Sequence, residues 1–123
     1  MFNVQVGHPV ADTCVVTLSG ELDMMFIGRL REIVDGACPV PDVRWVVVDL
    51  HRVSMIDSSA IKELVEAHYA AAGRGQVLLV RNARGMVDRV LRVAGVSAAL
   101  GMPPPSAGTV YPGQSGPAVR GER

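Results

Sequence analysis

The stretch Trp45–Leu50, which reads Trp-Val-Val-Val-Asp-Leu, constrains the fold of this chain more than any other. It is nearly all apolar, and half of its residues are β-branched valines. Such a run predicts a strand buried on both faces, because a strand with one face in water alternates apolar and polar residues. A buried strand needs neighbouring strands and covering helices, which the rest of the sequence must provide.

Other segments supply both kinds of element. Val4–Val6, Cys14–Leu18 and Gln76–Val80 have the apolar, β-branched character of strands. Three stretches carry apolar residues at helical spacing and end in glycine, and Asp23 is the expected N-cap of the first. The apolar stripes are Phe26, Leu30, Ile33, Val34 and Ala37 in the first helix, Ile61, Leu64, Val65, His68 and Ala72 in the second, and Met86, Val87, Val90, Leu91 and Ala94 in the third.

The order of these elements predicts an α/β domain. Strand, strand, helix, strand, helix, strand, helix is the order expected for a small mixed, mostly parallel β-sheet with amphipathic helices mainly on one side. We expect this domain to occupy residues 1–100. Residues 101–123 are predicted to form a flexible tail, because ten of these 23 residues are glycine or proline, which suit neither helices nor sheet interiors.

Composition narrows the classes of partner. Lys plus Arg and Asp plus Glu both number 12, so no net charge draws the chain to nucleic acid or to an anionic membrane. No apolar stretch reaches the roughly 20 residues that cross a bilayer, and the first residues lack a signal-peptide pattern. We therefore expect a cytoplasmic protein with no direct nucleic acid or membrane partner. Cys14 and Cys38 do not form a CxxC metal pair, and we expect two reduced thiols.

The triplet Asp57-Ser58-Ser59 is the most informative point for function. It follows a predicted strand region and opens a helix, and ligands and partners of open α/β sheets bind at this carboxyl edge. A serine here is exposed, with its oxygen near the positive end of the helix dipole. The alternative is purely local, since Asp57 or Ser58 could simply cap the helix, which is the commoner role of such residues.

Around this triplet, Val46–Ala60 resembles the STAS family, the sulphate transporter and anti-sigma factor antagonist domains. Gly20–Asp23 looks like that family's turn before its first helix, while Gln76–Val80 and the helix ending at Gly95-Val96 are similar to its later half. The resemblance spans roughly residues 3–100. This sequence departs from the family at Ala60, where glycine is usual, so a methyl group stands where a partner's backbone could need to approach.

The resemblance implies that the chain is an anti-sigma factor antagonist. In that family the unphosphorylated protein binds an anti-sigma factor, which is a protein kinase, and so releases a sigma factor, whereas phosphorylation switches the binding off. The resemblance places the phosphate on Ser58, with Ser59 as the second choice, and implies a phosphoserine phosphatase as a further partner. From the residues themselves we expect no enzyme activity, no cofactor and no metal, because no His, Cys and Asp residues have zinc-ligand spacing and no phosphate-binding loop motif occurs. The expected partner-binding residues are Asp23, Met24, Asp57, Ser58 and Ser59.

Three other interpretations fit the sequence. The chain could be a STAS-type scaffold or ligand-sensing module of a signalling assembly, without serine phosphorylation. Asp49, His51 and Ser58 are the residue types of a hydrolytic triad, but we expect Asp49 at a strand end and His51 in the following loop, with no GxSxG sequence. The arginines around the third helix form either a solvated face or a docking patch for an acidic partner, and they are Arg81, Arg84, Arg89 and Arg92.

Overall fold

The computed structural model describes residues 1–104 of the 123-residue chain. Strands and helices follow one another in the predicted order, with one short 3₁₀ turn added after the second strand. The elements are β1 (Phe2–Gly7), β2 (Thr13–Leu22), the 3₁₀ turn (Met24–Phe26), α1 (Arg29–Ala37), β3 (Trp45–Ile56), α2 (Ser58–Ala72), β4 (Val77–Arg81) and α3 (Gly85–Val93).

The four strands form one sheet in the order β1-β2-β3-β4. β1 runs antiparallel to β2, whereas β2 and β3, and β3 and β4, are parallel. One face of this sheet and the three helices contribute to a single apolar core, while the other face, here called the open face, stays partly exposed. The predicted fold class, a small mixed and mostly parallel sheet with helices mainly on one side, is confirmed.

The central strand β3 is buried on one face and not on both. Val46, Val48 and Leu50 are fully buried against the helices, whereas Trp45 and Val47 lie on the open face and remain partly exposed. The prediction of burial on both faces was wrong, because apolar residues also occupy the open face of this strand. An apolar run therefore located the strand but did not reveal which of its faces the helices cover.

Beyond Leu50, β3 contains two more residues than the matching part of β2. The register between the two strands shifts twice, which is the mark of β-bulges. The buried residues of β3 accordingly lie two residues apart up to Leu50 and three residues apart after it, at Val53 and Ile56. The bulges return Ile56 to the core side and set Asp57 directly beyond the edge of the sheet.

The chain after β2 differs from the single continuous helix predicted there. Asp23 caps the 3₁₀ turn, and its carboxylate accepts a hydrogen bond from the Met25 N–H at 3.0 Å. Gly28 then takes φ 78°, a left-handed conformation that glycine adopts without steric cost, and α1 begins only at Arg29. Because the residue before α1 is glycine, the helix has no side-chain cap from its own segment.

The missing cap of α1 comes from Glu63 on α2. Glu63 is 1% exposed, and its carboxylate accepts the backbone N–H of Arg31 at 3.1 Å and binds the Arg31 guanidinium at 3.0 Å. The hydrogen bond from the Arg31 side chain to Glu63 and the negative charge of Glu63 raise the pKa of Arg31. A carboxylate at the first turn of a helix satisfies a free N–H and complements the helix dipole. Glu63 thus fixes α1 to α2.

The outer edge of β4 is closed by other parts of the chain. His68 on α2 donates through Nδ1 to the Leu78 carbonyl at 3.0 Å. Two residues further along β4, the Val80 N–H donates to the Leu100 carbonyl at 2.9 Å. Both partners satisfy backbone groups that face away from β3, so this edge offers little to a further strand.

Residues 101–104, which the sequence assigned to the tail, contact the folded unit. Met102 packs against the apolar core, and the Arg92 guanidinium donates to the Pro103 carbonyl at 2.6 Å. The remainder of the predicted flexible tail, residues 105–123, lies outside the described residues.

Cys14 and Cys38 are joined in a disulfide, with Cα atoms 6.1 Å apart. The prediction of two reduced thiols was therefore wrong. Both residues are buried, and the bond connects the start of β2 to the residue that ends α1. No sequence pattern predicted this pairing, because it depends on how two segments 24 residues apart approach one another in space.

The position of Glu63 makes a prediction about stability. Glu63→Gln removes a buried charge that accepts hydrogen bonds, so we expect the free energy of unfolding in urea to fall by about 1.5–3 kcal/mol. Glu66→Gln is the matched control, because Glu66 is 41% exposed and pairs with the same guanidinium at 3.4 Å. A pair of this exposed kind contributes about 0–1 kcal/mol. Equal losses in the two variants would contradict the capping role of Glu63.

Candidate partner-binding site

Two acidic residues lie side by side where β2 and β3 end. Leu22 is opposite Ile56 in the parallel register, and the Asp57 N–H donates to the Leu22 carbonyl at 3.2 Å. Asp23 and Asp57 follow these strands directly, and each caps the element that it precedes. Because both strands leave the sheet in the same direction, the two capped elements begin next to one another.

The first three residues of α2 differ in how far their side chains are exposed. Asp57 is the N-cap, with its carboxylate accepting the Ala60 N–H at 3.0 Å. Ser58, the first residue of α2, is exposed, Ser59 is half-buried, and Ala60 is fully buried. Ser58 therefore meets solvent at the positive end of a 15-residue helix. The methyl group of Ala60 is enclosed by the core, so the difference from glycine adds nothing to the surface.

An exposed apolar group borders the two acids. Met24 is 67% exposed, and Met25 and Ile27 are exposed beside it, while Phe26 is fully buried and anchors the 3₁₀ turn. The turn packs against α2, which holds this group beside the helix that carries Ser58. Methionine adapts its shape readily, which suits a protein-binding surface. We call the following residues the carboxyl-edge surface: Asp23, Met24, Met25, Ile27, Asp57 and Ser58.

The residues predicted from the sequence to bind a partner all lie at this edge. Among them, Ser59 is turned partly inward, and the others stand at the surface to differing degrees. Sequence reasoning did not include Met25 and Ile27 in the site. A signal for them was present in the sequence. One helix face cannot bury three successive apolar residues such as Met24, Met25 and Phe26, so some of them had to be exposed. Gly28, which takes a positive φ, also ends the turn before α1 begins.

Asp49 and His51 form a hydrogen-bonded pair, but Ser58 is not close enough to complete a hydrolytic triad with them. Both lie within β3, so the expected strand end at Asp49 and loop at His51 were wrong. The Asp49 carboxylate contacts His51 Nδ1 at 2.8 Å and accepts the Asn82 amide at 3.2 Å. Ser58 follows only after the rest of β3, which spans roughly 15 Å at about 3.3 Å per residue. The three residues therefore do not come together.

The environment of Asp49 lowers its pKa. Burial raises the pKa of the carboxyl group, but hydrogen bonds from the His51 backbone, the His51 ring and the Asn82 amide outweigh burial. The net pKa lies below the ordinary value of 3.8 for aspartate. This cluster links the middle of β3 to the residue that follows β4.

The arginines around α3 do not form a single patch. Arg92 is mostly buried and pairs with Asp88 one helical turn away at 3.1 Å. Arg81 donates to the carbonyl groups of Val80 and Gly101. Arg84 and Arg89 remain exposed, so the basic surface that a partner could contact is smaller than the sequence suggested.

Residues 9–102 match the family model described as Mlab, STAS domain. The chain belongs to the STAS domain family. No curated protein sequence matches this STAS domain. Within residues 1–104, none of its helices combines the length and the apolar character that a membrane crossing requires.

Solved structures similar to this STAS domain include anti-sigma factor antagonists and an anion transporter. An anti-sigma factor antagonist from Mycobacterium paratuberculosis is 22% identical with a TM-score of 0.65, over 91% of this chain and 86% of that one. The anti-sigma factor antagonist SpoIIAA in its unphosphorylated form is 20% identical with a TM-score of 0.58, over 73% and 82%. The murine anion transporter Slc26a9 is 20% identical with a TM-score of 0.63 over 73% of this chain, which spans only 15% of the transporter. At these identities the likeness shows the fold alone.

The lowered pKa of Asp49 predicts a pH effect on stability. A carboxyl group whose pKa is lower in the folded than in the unfolded chain stabilises the fold above its unfolded pKa, and this contribution is lost as the pH falls through the folded pKa. Asp49→Asn should therefore lose stability at neutral pH and show a shallower decline between about pH 5 and pH 2. Urea unfolding across this range measures the difference. Asp42→Asn, at an exposed carboxylate, controls for the loss of one charge, and an identical profile for both variants would contradict the assignment.

Proposed function

We propose that this STAS domain is an anti-sigma factor antagonist that phosphorylation at Ser58 switches off. The observation that carries the proposal is the exposure of Ser58 at the first position of α2, inside a surface of acids and methionines. A kinase needs an accessible hydroxyl, and a binding partner needs adaptable apolar contacts nearby. Similar solved structures include anti-sigma factor antagonists, one of them described in its unphosphorylated form.

Electrostatics explain why a phosphate at Ser58 would release a partner without unfolding the domain. A phosphoserine carries about −1.5 to −2 charges at pH 7. At the N-terminus of α2 this charge is stabilised by the helix dipole and by free N–H groups, so the fold tolerates it. The same charge stands beside Asp57 and near Asp23, where it adds to two carboxylates on the contact surface. A partner that fits the unmodified surface then meets both added bulk and a concentrated negative charge.

The position of the phosphate can be tested with serine variants. Incubation with the cognate anti-sigma kinase and ATP should phosphorylate the wild type and Ser59→Ala but not Ser58→Ala, because Ser59 is half-buried. Ser54→Ala is the control for an exposed serine on β3, outside the carboxyl-edge surface. Ser58→Ala should bind the partner permanently, and phosphorylated wild type should bind far more weakly with unchanged circular dichroism. Mass-spectrometric mapping of the phosphate to Ser59, or equal affinity of both forms, would refute the assignment.

The contact surface can be tested separately from the phosphate. Met24→Asp places a charge in the exposed apolar group, and we expect it to weaken binding of the anti-sigma factor at least about tenfold, as for an interface position. Met86→Asp is the matched control, since Met86 is 66% exposed on α3, away from the carboxyl edge. Isothermal titration calorimetry with unphosphorylated protein measures both affinities. A larger loss for Met86→Asp would move the interface to α3.

A second function is a STAS module within a larger assembly, without serine phosphorylation. The likeness to the transporter Slc26a9, in which the matching part is a small fraction of the chain, favours it. Affinity capture of unphosphorylated protein from its own cell extract distinguishes the two functions. Recovery of a protein kinase that Ser58→Asp fails to retain supports the antagonist, whereas a partner retained equally by both forms supports the module.

A further inference from the structure

The two edges of the sheet differ in how far they are covered. On β4, a histidine of α2 and the carbonyl of Leu100 satisfy backbone groups that face outward. No residue among 1–104 pairs with the outer side of β1. An uncovered edge strand presents a row of unpaired N–H and C=O groups and is a template for another strand.

The hydrogen bonds of β2 determine which residues of β1 face outward. The Trp45 N–H donates to the Asp12 carbonyl at 2.9 Å. In a parallel ladder the bonding residues alternate, so even-numbered residues of β2 up to the first bulge bond to β3 and odd-numbered ones bond to β1. Thr17 is therefore bonded to Gln5, which lies opposite it in the antiparallel register. Val4, the neighbour of Gln5, must then direct its backbone groups outward.

A hydrogen bond at the other end of β1 gives the same result. The Glu21 N–H donates to the Met1 carbonyl at 3.1 Å, so odd-numbered positions of this segment bond inward. The outward-facing backbone groups are those of Phe2, Val4 and Val6. Within the described part of the chain, no hydrogen bond reaches any of them.

The side chains on this edge are apolar and incompletely covered. Phe2 and Val4 are half-buried on the helix side of the sheet, packed against the core, and Val6 is 39% exposed. A further strand beside β1 would cover what remains exposed of all three. Phe2–Gly7 carries no charged side chain and no proline, the residues that usually protect an edge strand.

We propose that β1 pairs with β1 of a second copy of this chain, antiparallel and with Val4 opposite Val4, to form a continuous eight-stranded sheet. A two-fold axis through this pair also places Phe2 of each copy opposite Val6 of the other. Each of the three facing pairs exchanges two backbone hydrogen bonds. On the open face, Asn3 meets Gln5, so no like charges oppose one another. The edge is thus self-complementary, as a two-fold symmetric interface requires.

A proline variant tests the hydrogen bonds. Sedimentation velocity of the full 123-residue protein should show a concentration-dependent dimer for the wild type. Val4→Pro removes an outward N–H and leaves the bonds to β2 intact, since proline is compatible with edge positions of this kind. We expect the dissociation constant to rise roughly 10- to 100-fold, with the thermal midpoint of dilute, monomeric protein showing that the variant folds. A wild type that is monomeric at its highest soluble concentration, or a dimer that Val4→Pro leaves unchanged, would overturn the proposal.

Charge variants test the register and do not depend on proline. Val4→Lys and Val4→Glu should each be monomeric, because like charges would lie directly opposite across the axis. An equimolar mixture of the two should recover the dimer. Gln5→Lys is the control and should remain dimeric, since position 5 faces position 3 of the other copy. Failure of the mixture to dimerise, while Gln5→Lys does so, would overturn this register, and both outcomes are independent of whether Ser58 is phosphorylated.

Discussion

The buried carboxylate of Glu63 holds together the part of the molecule that the candidate site depends on. Gly28 separates the 3₁₀ turn from α1 by its left-handed conformation, and it provides no side chain to cap the helix that follows. Glu63 supplies the acceptor from α2 and binds both the backbone and the guanidinium of Arg31. The orientation of α1 is therefore set by a residue on another helix.

That same helix begins with Ser58 and packs against the 3₁₀ turn, so the hydroxyl and the exposed methionines lie beside one another. Asp57 joins them further, since its N–H is bonded to the last residue of β2 and its carboxylate caps α2. A charge added at Ser58 consequently meets a fixed arrangement of carboxylates and apolar side chains. The simplest effect of such a charge is on the potential and shape of the surface, without a rearrangement of the helices.

The sequence predicted those features that depend on neighbouring residues and missed those that depend on distant ones. The alternation of strands and helices follows from local spacing and was predicted, and local spacing also restricted the cap of α2 to Asp57 or Ser58. The disulfide of Cys14 was not, because its partner approaches only after α1 has packed on the sheet. In the sequence, Glu63 looks like any charged residue on the solvent side of a helix, and it is buried only because α1 packs against it. Likewise Trp45 looked like a core residue, because the residues of β3 beneath the helices and those on the open face are equally apolar.

The bulges in β3 have a consequence for how chains of this family can change in length. Each bulge sets an extra residue of β3 against β2, so one such residue can be lost without shifting the residues beyond it. Deleting it would leave Ile56 opposite Leu22 and Asp57 beside the end of β2. Deleting one residue of the regular ladder Trp45–Asp49 would instead turn buried valines to the open face, because neighbouring residues of a strand point to opposite faces. This domain therefore tolerates a change of length between Leu50 and Ile56 that it does not tolerate earlier in the strand.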